Sequence, residues 1–261
     1  MALLTVKNLT KSFGGLTAVS DVNMAIEPGE LVGLIGPNGA GKTTLFNLLT
    51  GVYEPTTGKI LLNTNGKERE IQGQKPYRIC GEGIARTFQN IRLFKELTVL
   101  DNVRIAMHQN VKYQMLPGAF FHTPGYVKEE ERLKKEAEEL LDIFQLTHKK
   151  DEKAKNLPYG EQRHLEIVRA MATKPDLLLL DEPAAGMNPK ETAALTQTIA
   201  QLRRDFGLTI LLIEHDMSLV MKVCERIYVL NYGQMLAQGL PEEIRNNKLV
   251  IEAYLGEDMN A

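Results

Sequence analysis

Residues 36 to 43 read Gly-Pro-Asn-Gly-Ala-Gly-Lys-Thr, a run whose residue types and spacing suit the grip of a phosphate chain. Gly36, Gly39 and Gly41 lack a Cβ, so the backbone can turn left-handed and curl its N–H groups around a phosphate. Pro37, Asn38 and Ala40 fill the loop between them. A helix is expected to begin near Gly41, and its unpaired N-terminal N–H groups favour an anion. Lys42 then supplies counter-charge, Thr43 offers a hydroxyl to Mg²⁺, and Thr44 belongs to the same binding turn. The strand-like Val32 to Ile35 before the loop and the apolar Leu45, Phe46, Leu48 and Leu49 after it argue against a chance glycine-rich turn.

A second group of acids stands far downstream. Leu177 to Leu180 read as a buried strand ending in Asp181 and Glu182. Alone, that is an ordinary strand end. Beside a phosphate loop, Asp181 becomes the carboxylate for the metal, and Glu182 the candidate for polarising an attacking water. His215, two residues beyond the strand-like Thr209 to Ile213, would by itself be read as a surface histidine. Strand ends of a parallel sheet share one edge with the ligand crevice, however, and an imidazole there can sense a γ-phosphate.

The elements that must hold these groups can be read more coarsely. Val22, Met24 and Ile26 alternate with polar neighbours before the turn Glu27-Pro28-Gly29-Glu30, which predicts a small antiparallel sheet near the start. Gly58 to Leu62 adds a strand, and Asn63 to Gln74 reads as hairpin and loop. From Leu97 to about Lys155 the pattern turns helical, with Leu133, Ala137, Leu140, Leu141 and Phe144 on one face of an amphipathic helix. His108 to Val127, with Tyr113, Phe120, Phe121 and Tyr126, reads as a loop packed down by its aromatics. Strands Leu177 to Leu180, Thr209 to Ile213 and Arg226 to Leu230 alternate with helical Glu161 to Ala172 and Glu191 to Phe206, the pattern of a parallel sheet.

Bulk properties narrow the function. The 261 residues carry 31 basic and 33 acidic side chains, a net charge of −2, so no basic field points to nucleic acid. Cys80 and Cys224 match no metal-ligand spacing and are expected to be ordinary thiols of a reducing compartment. No apolar run approaches the roughly 18 to 20 residues of a membrane span, and Met1-Ala2-Leu3-Leu4 does not begin like a secretion signal. A soluble, cytoplasmic chain is the expectation, with docking on a membrane protein left open.

With the phosphate loop and the Asp181-Glu182 strand in place, the chain from about Lys7 to Gly256 resembles the ATP-binding subunits of ABC transporters. The resemblance implies an α/β P-loop NTPase core of RecA-like type, with a parallel sheet, an N-terminal antiparallel β subdomain and an inserted α-helical subdomain. It divides the chain into a core at 1–92 and 156–235, a helical subdomain at 93–155 and a helical tail at 236–261. Leu157-Pro158-Tyr159-Gly160-Glu161 stands at the signature loop, where Tyr159 and Gly160 would meet the ATP of a second subunit. Gln89, in Arg86-Thr87-Phe88-Gln89, matches the loop glutamine that touches metal and water. Phe13, in Lys11-Ser12-Phe13-Gly14, matches the aromatic that stacks on adenine, and Ala185 to Asn188 match the loop after the acids. His215 falls on the switch histidine.

The resemblance further implies a homo- or heterodimer, transmembrane permease subunits and, indirectly, an external substrate-binding protein. Within the family, Arg86 to Phe94, Ala184 to Thr192, Ile213 to Met217 and the tail from Pro241 to Gly256 look like subunits of branched-chain amino acid importers. Urea or amide importers, lipid or lipopolysaccharide exporters and non-transport ABC ATPases are the alternatives. A GTPase is disfavoured, since Asn247-Lys248-Leu249-Val250 lacks the aspartate of a guanine-reading motif. Three positions depart from the family pattern. Pro158 replaces a serine, Glu161 a glutamine, and Asn188 a frequent aspartate.

Overall fold

The computed structural model describes residues 1–64, 66–110 and 124–258, in two compact units: residues 1–89 with 176–261, and residues 90–175. The first unit holds both sheets. Strands β1 (Leu4–Phe13), β2 (Leu16–Ile26), β4 (Thr57–Thr64) and β5 (Lys67–Glu70) form an antiparallel sheet in the order β2-β1-β4-β5. In β2, Val22, Met24 and Ile26 face inward and Asp21 and Asn23 outward, the alternation legible in the sequence.

The second sheet runs β10-β9-β3-β8-β7-β6, from β3 (Leu31–Ile35), β6 (Ile84–Arg86), β7 (Leu177–Asp181), β8 (Thr209–Ile213), β9 (Arg226–Asn231) and β10 (Gln234–Gly239). All its pairings are parallel except β9 with β10. Every residue of β3, β7 and β8 is buried, as continuous aliphatic runs require when both sheet faces are covered. Because β6, β7, β8 and β3 point the same way, the segments that leave their carboxyl ends emerge along one edge.

Two expectations need correction. Residues 236–239 belong to β10, so the C-terminal helices begin only at Pro241. The sequence reading missed β10 because its side chains are mostly half-buried and follow no clean alternation. The helix Tyr159–Ala172 falls in the helical unit, although residues from 156 onward were expected in the core.

The helical unit contains helices Val99–Ala106, Pro124–Ile143 and Tyr159–Ala172. Leu133, Ala137, Leu141 and Phe144 are buried, as their spacing predicts, while Leu140 is only partly so. Tyr113, Phe120 and Phe121 lie outside the described residues. Thr98 caps the first of these helices by accepting from Asp101 N–H at 3.0 Å, and buried Asn102 ties that cap to Phe94 through both halves of its amide. No described helix is long and apolar enough to cross a membrane.

Candidate functional site

The phosphate loop follows β3 directly and leads into the helix Lys42–Leu49. Its glycines are required by geometry at two points. Gly36 has φ +152°, and a Cβ there would meet Leu230 O at 2.0 Å; Gly41 has φ +100°, and its Cβ would meet Ala18 O at 2.5 Å. Gly41 also occupies the helix N-cap, where no side chain bonds to the first N–H groups. The turn between β9 and β10 braces the loop, since Gly233 N–H donates to Ala40 O at 2.9 Å and Ser20 N–H donates to Gly233 O at 2.8 Å.

Lys42 is buried, and its Nζ donates to Gly36 O at 2.6 Å and Pro37 O at 2.8 Å. The loop is thus curled around its own cation. Asn38, Gly39 and Thr43 face outward beside it. At the end of β1, the half-exposed Phe13 stands edge-on to Tyr53, with ring centroids 5.2 Å apart and Lys11 Nζ 4.9 Å from its ring.

Asp181 closes β7 with only 2% of its surface exposed. Its Oδ2 accepts from Arg86 Nη2 at 2.6 Å, a pairing invisible to sequence reasoning because 95 residues separate the partners. Glu182, the next residue, has φ +48°, a costly backbone state for a residue with a side chain. Its N–H donates to Ile213 O at 2.9 Å, which locks the turn against β8. The carboxylate then receives two groups expected to work with it: Gln89 Nε2 donates to Oε2 at 2.9 Å, and His215 Nε2 lies 2.7 Å from Oε1.

Glu214 was also missed, being a buried acid one residue beyond the apolar strand β8. Its Oε1 accepts from Ala184 N–H at 2.7 Å and its Oε2 from His215 N–H at 3.2 Å, so one side chain joins the turn after Glu182 to the histidine. Burial pushes its carboxyl above the ordinary value of 4.5, and the neighbouring Glu182 adds to that, although donated backbone N–H groups pull the other way.

Two of the three residues that depart from the family pattern, Glu161 and Asn188, make local side-chain contacts. Pro158 is the N-cap of the helix Tyr159–Ala172, and Gln162 N–H donates to its carbonyl at 3.0 Å. Glu161 pairs with Lys149, whose Nζ lies 2.8 and 2.7 Å from its two oxygens, so the acid carries its own counter-ion. Tyr159 is exposed and Gly160 buried. Asn188 caps the helix Pro189–Phe206 by accepting from Lys190 and Glu191 N–H, both at 3.0 Å, while Glu191 accepts from Asn188 N–H at 2.9 Å.

Among the described residues no cluster of three or more His, Cys, Asp or Glu could hold a metal. The residues expected to hold Mg²⁺, Thr43, Asp181 and Gln89, carry a hydroxyl, a carboxylate and an amide oxygen, donor types that suit this cation when it is shared with phosphates. Neither cysteine is in a disulfide, and burial pushes the Cys224 thiol up to about 12, leaving it inert.

The profile of the ABC transporter family matches residues 19–185. The chain belongs to the ABC transporter family. It is an ATP-binding, ATP-hydrolysing subunit of that family. A second profile, described as branched-chain amino acid ATP-binding cassette transporter, matches residues 234–259 of this ABC cassette. The cassette is 50% identical to the high-affinity branched-chain amino acid transport ATP-binding protein LivG of Escherichia coli K12, over 98% of each chain. It is 34% identical to the lipopolysaccharide export system ATP-binding protein LptB of Haemophilus influenzae, again over 98% of each. Among solved structures, the ADP conformation of an ATP-binding cassette of an ABC transporter superposes with TM-score 0.82 at 31% identity, covering 98% of this chain and 99% of that one.

Proposed function

We propose that this cassette powers an importer of branched-chain amino acids. The likeness to LivG along nearly the full length of both chains carries the reading, and the matched C-terminal segment supports it. Two cassettes close on ATP beneath a pair of transmembrane permease subunits, at the cytoplasmic face of the membrane. An external binding protein selects the solute, and this chain does not touch it.

In the ATP site, Phe13 stacks on adenine while Gly36 to Thr44 surround the phosphates and Lys42 neutralises them. A bound Mg²⁺ would supply charge stabilisation at the β- and γ-phosphates, held by Thr43, Asp181 and Gln89. Glu182 orients and polarises the attacking water. Gln89 and His215 both reach its carboxylate and fix its direction, so the acid is aimed by two side chains and by the strained turn beneath it. Tyr159 and Gly160, at the start of their helix, cap the γ-phosphate held by the other cassette. Reopening after hydrolysis resets the permease.

Uptake of radiolabelled leucine by cells with and without this chain tests the assignment. Loss of uptake on deletion, restored by the parent but not by Glu182→Gln, is the expected result. Unchanged uptake together with a defect in lipopolysaccharide or lipid delivery would assign the cassette to an exporter instead.

A further inference from the structure

We infer that Arg86 is a positioning residue for the divalent cation, acting through Asp181 and through the helix that carries Thr43. The guanidinium is held on several sides. Its Nη2 donates to Asp181 Oδ2 at 2.6 Å, and its Nη1 donates to Asn47 Oδ1 at 2.7 Å and lies 3.4 Å from Thr50 Oγ1. The rings of Phe46 and Phe88 lie 5.4 and 5.2 Å from its central carbon. Both members of the ion pair are almost fully covered, with side-chain exposures of 7% for Arg86 and 3% for Asp181.

Phe46, Asn47 and Thr50 follow Thr43 along the segment that leaves the phosphate loop, while Asp181 ends β7. One planar cation therefore bridges two of the elements bearing the expected metal oxygens. With Oδ2 held by Arg86, the carboxylate is fixed in rotation as an outer partner fixes a metal ligand. A buried ion pair by itself gives little net stability, because desolvation offsets the attraction. Its placement between two ligand-bearing elements points to orientation instead. Lysine could match the charge but not the fork that reaches Asp181 and Asn47 together.

The inference rests on Thr43 and Asp181 being among the metal's protein ligands, so the experiment separates the two. Binding of a fluorescent ATP analogue to the full-length protein is followed in EDTA and then against rising Mg²⁺, for the parent, Arg86→Lys, Arg86→Met and Asp181→Asn. No turnover is needed. The expected result is equal nucleotide affinity in EDTA for the parent and both Arg86 variants. The Mg²⁺ midpoint should rise about tenfold in Arg86→Lys and up to roughly a hundredfold in Arg86→Met, the range typical of an outer-shell partner.

If Asp181→Asn shifts the midpoint but the Arg86 variants keep the parent value, the role given to Arg86 is wrong while the ligand reading stands. If Asp181→Asn also keeps the parent midpoint, the ligand reading falls and takes this inference with it. Tighter Mg²⁺ binding in Arg86→Met would mean that Arg86 competes with the cation, and lost nucleotide binding in EDTA would mean a general structural role; both outcomes overturn the proposal. Should Arg86→Met fail to melt cooperatively, Arg86→Lys, which keeps the charge, decides alone.

Discussion

Nε2 of His215 stands 2.7 Å from Oε1 of Glu182, so the histidine beyond β8 and the acid beyond β7 meet directly at the common edge of the parallel sheet. Replacing Glu182 with glutamine keeps the shape of this pair and removes the base. ATP binding should persist while turnover falls by about a hundredfold or more. A phosphate-release assay beside a nucleotide titration checks it, and near-parental turnover would remove Glu182 from its role.

Lys42 presents the opposite case. Its Nζ is curled against the carbonyls of Gly36 and Pro37, poised where phosphate oxygens are expected. Lys42→Ala should weaken ATP binding roughly tenfold to a hundredfold, the loss of a charge-assisted hydrogen bond. Calorimetric titration is the direct test, and unchanged affinity would contradict it.

The glycines of the loop should not behave alike. Gly36→Ala drives a methyl onto Leu230 O at 2.0 Å, whereas a Cβ on Gly39 meets nothing within 4 Å and faces only its φ of +73°. Gly39→Ala is therefore expected to cost about 1–2 kcal/mol. Gly36→Ala should cost distinctly more, because backbone must move. Urea unfolding of the two variants ranks them.

Lys149 neutralises Glu161 at the start of the signature helix, and both side chains are partly exposed. Lys149→Ala should thus lower stability by less than about 1 kcal/mol. ATP-driven dimerisation should weaken more visibly, since an uncompensated acid would then face the partner's phosphates. Size-exclusion chromatography in a Glu182→Gln background reads this. Undiminished dimerisation would show that the acid lies away from the interface.

Glu214 carries a pH dependence. Its carboxyl is raised above 4.5, chiefly by burial, so the folded chain holds this proton more tightly than the unfolded chain does. The cost of its charge is complete above the raised value and vanishes below 4.5. Glu214→Gln removes that cost, so the melting temperature of the variant relative to the parent should be most favourable in mildly alkaline solution. The difference should drift down as pH falls toward 4.5. A constant offset across that range would exclude it.

Much of this site was legible because its parts are local in sequence. The phosphate loop is a continuous run, and Asp181 and Glu182 sit at the end of an unbroken aliphatic strand whose parallel partners carry the same signal. What escaped was long-range. Arg86 and Asp181 pair across 95 positions, and Glu214 reaches Ala184 across 30, so neither contact leaves a periodicity or spacing to read. The Lys149–Glu161 pair escaped for a different reason, since a short helical turn at Thr147–Lys149 brings the lysine round and no residue pattern announces it. Strand β10 was lost because a half-buried edge strand has no strict alternation to display.

The bracing of the phosphate loop by Gly233 bears on how quickly this molecule can be charged. A loop tethered at Ala40 by a main-chain bond has few alternative shapes to give up when a triphosphate arrives. Capture should be fast and entropically mild, which leaves the cassette's remaining freedom for the slower strokes that move cargo.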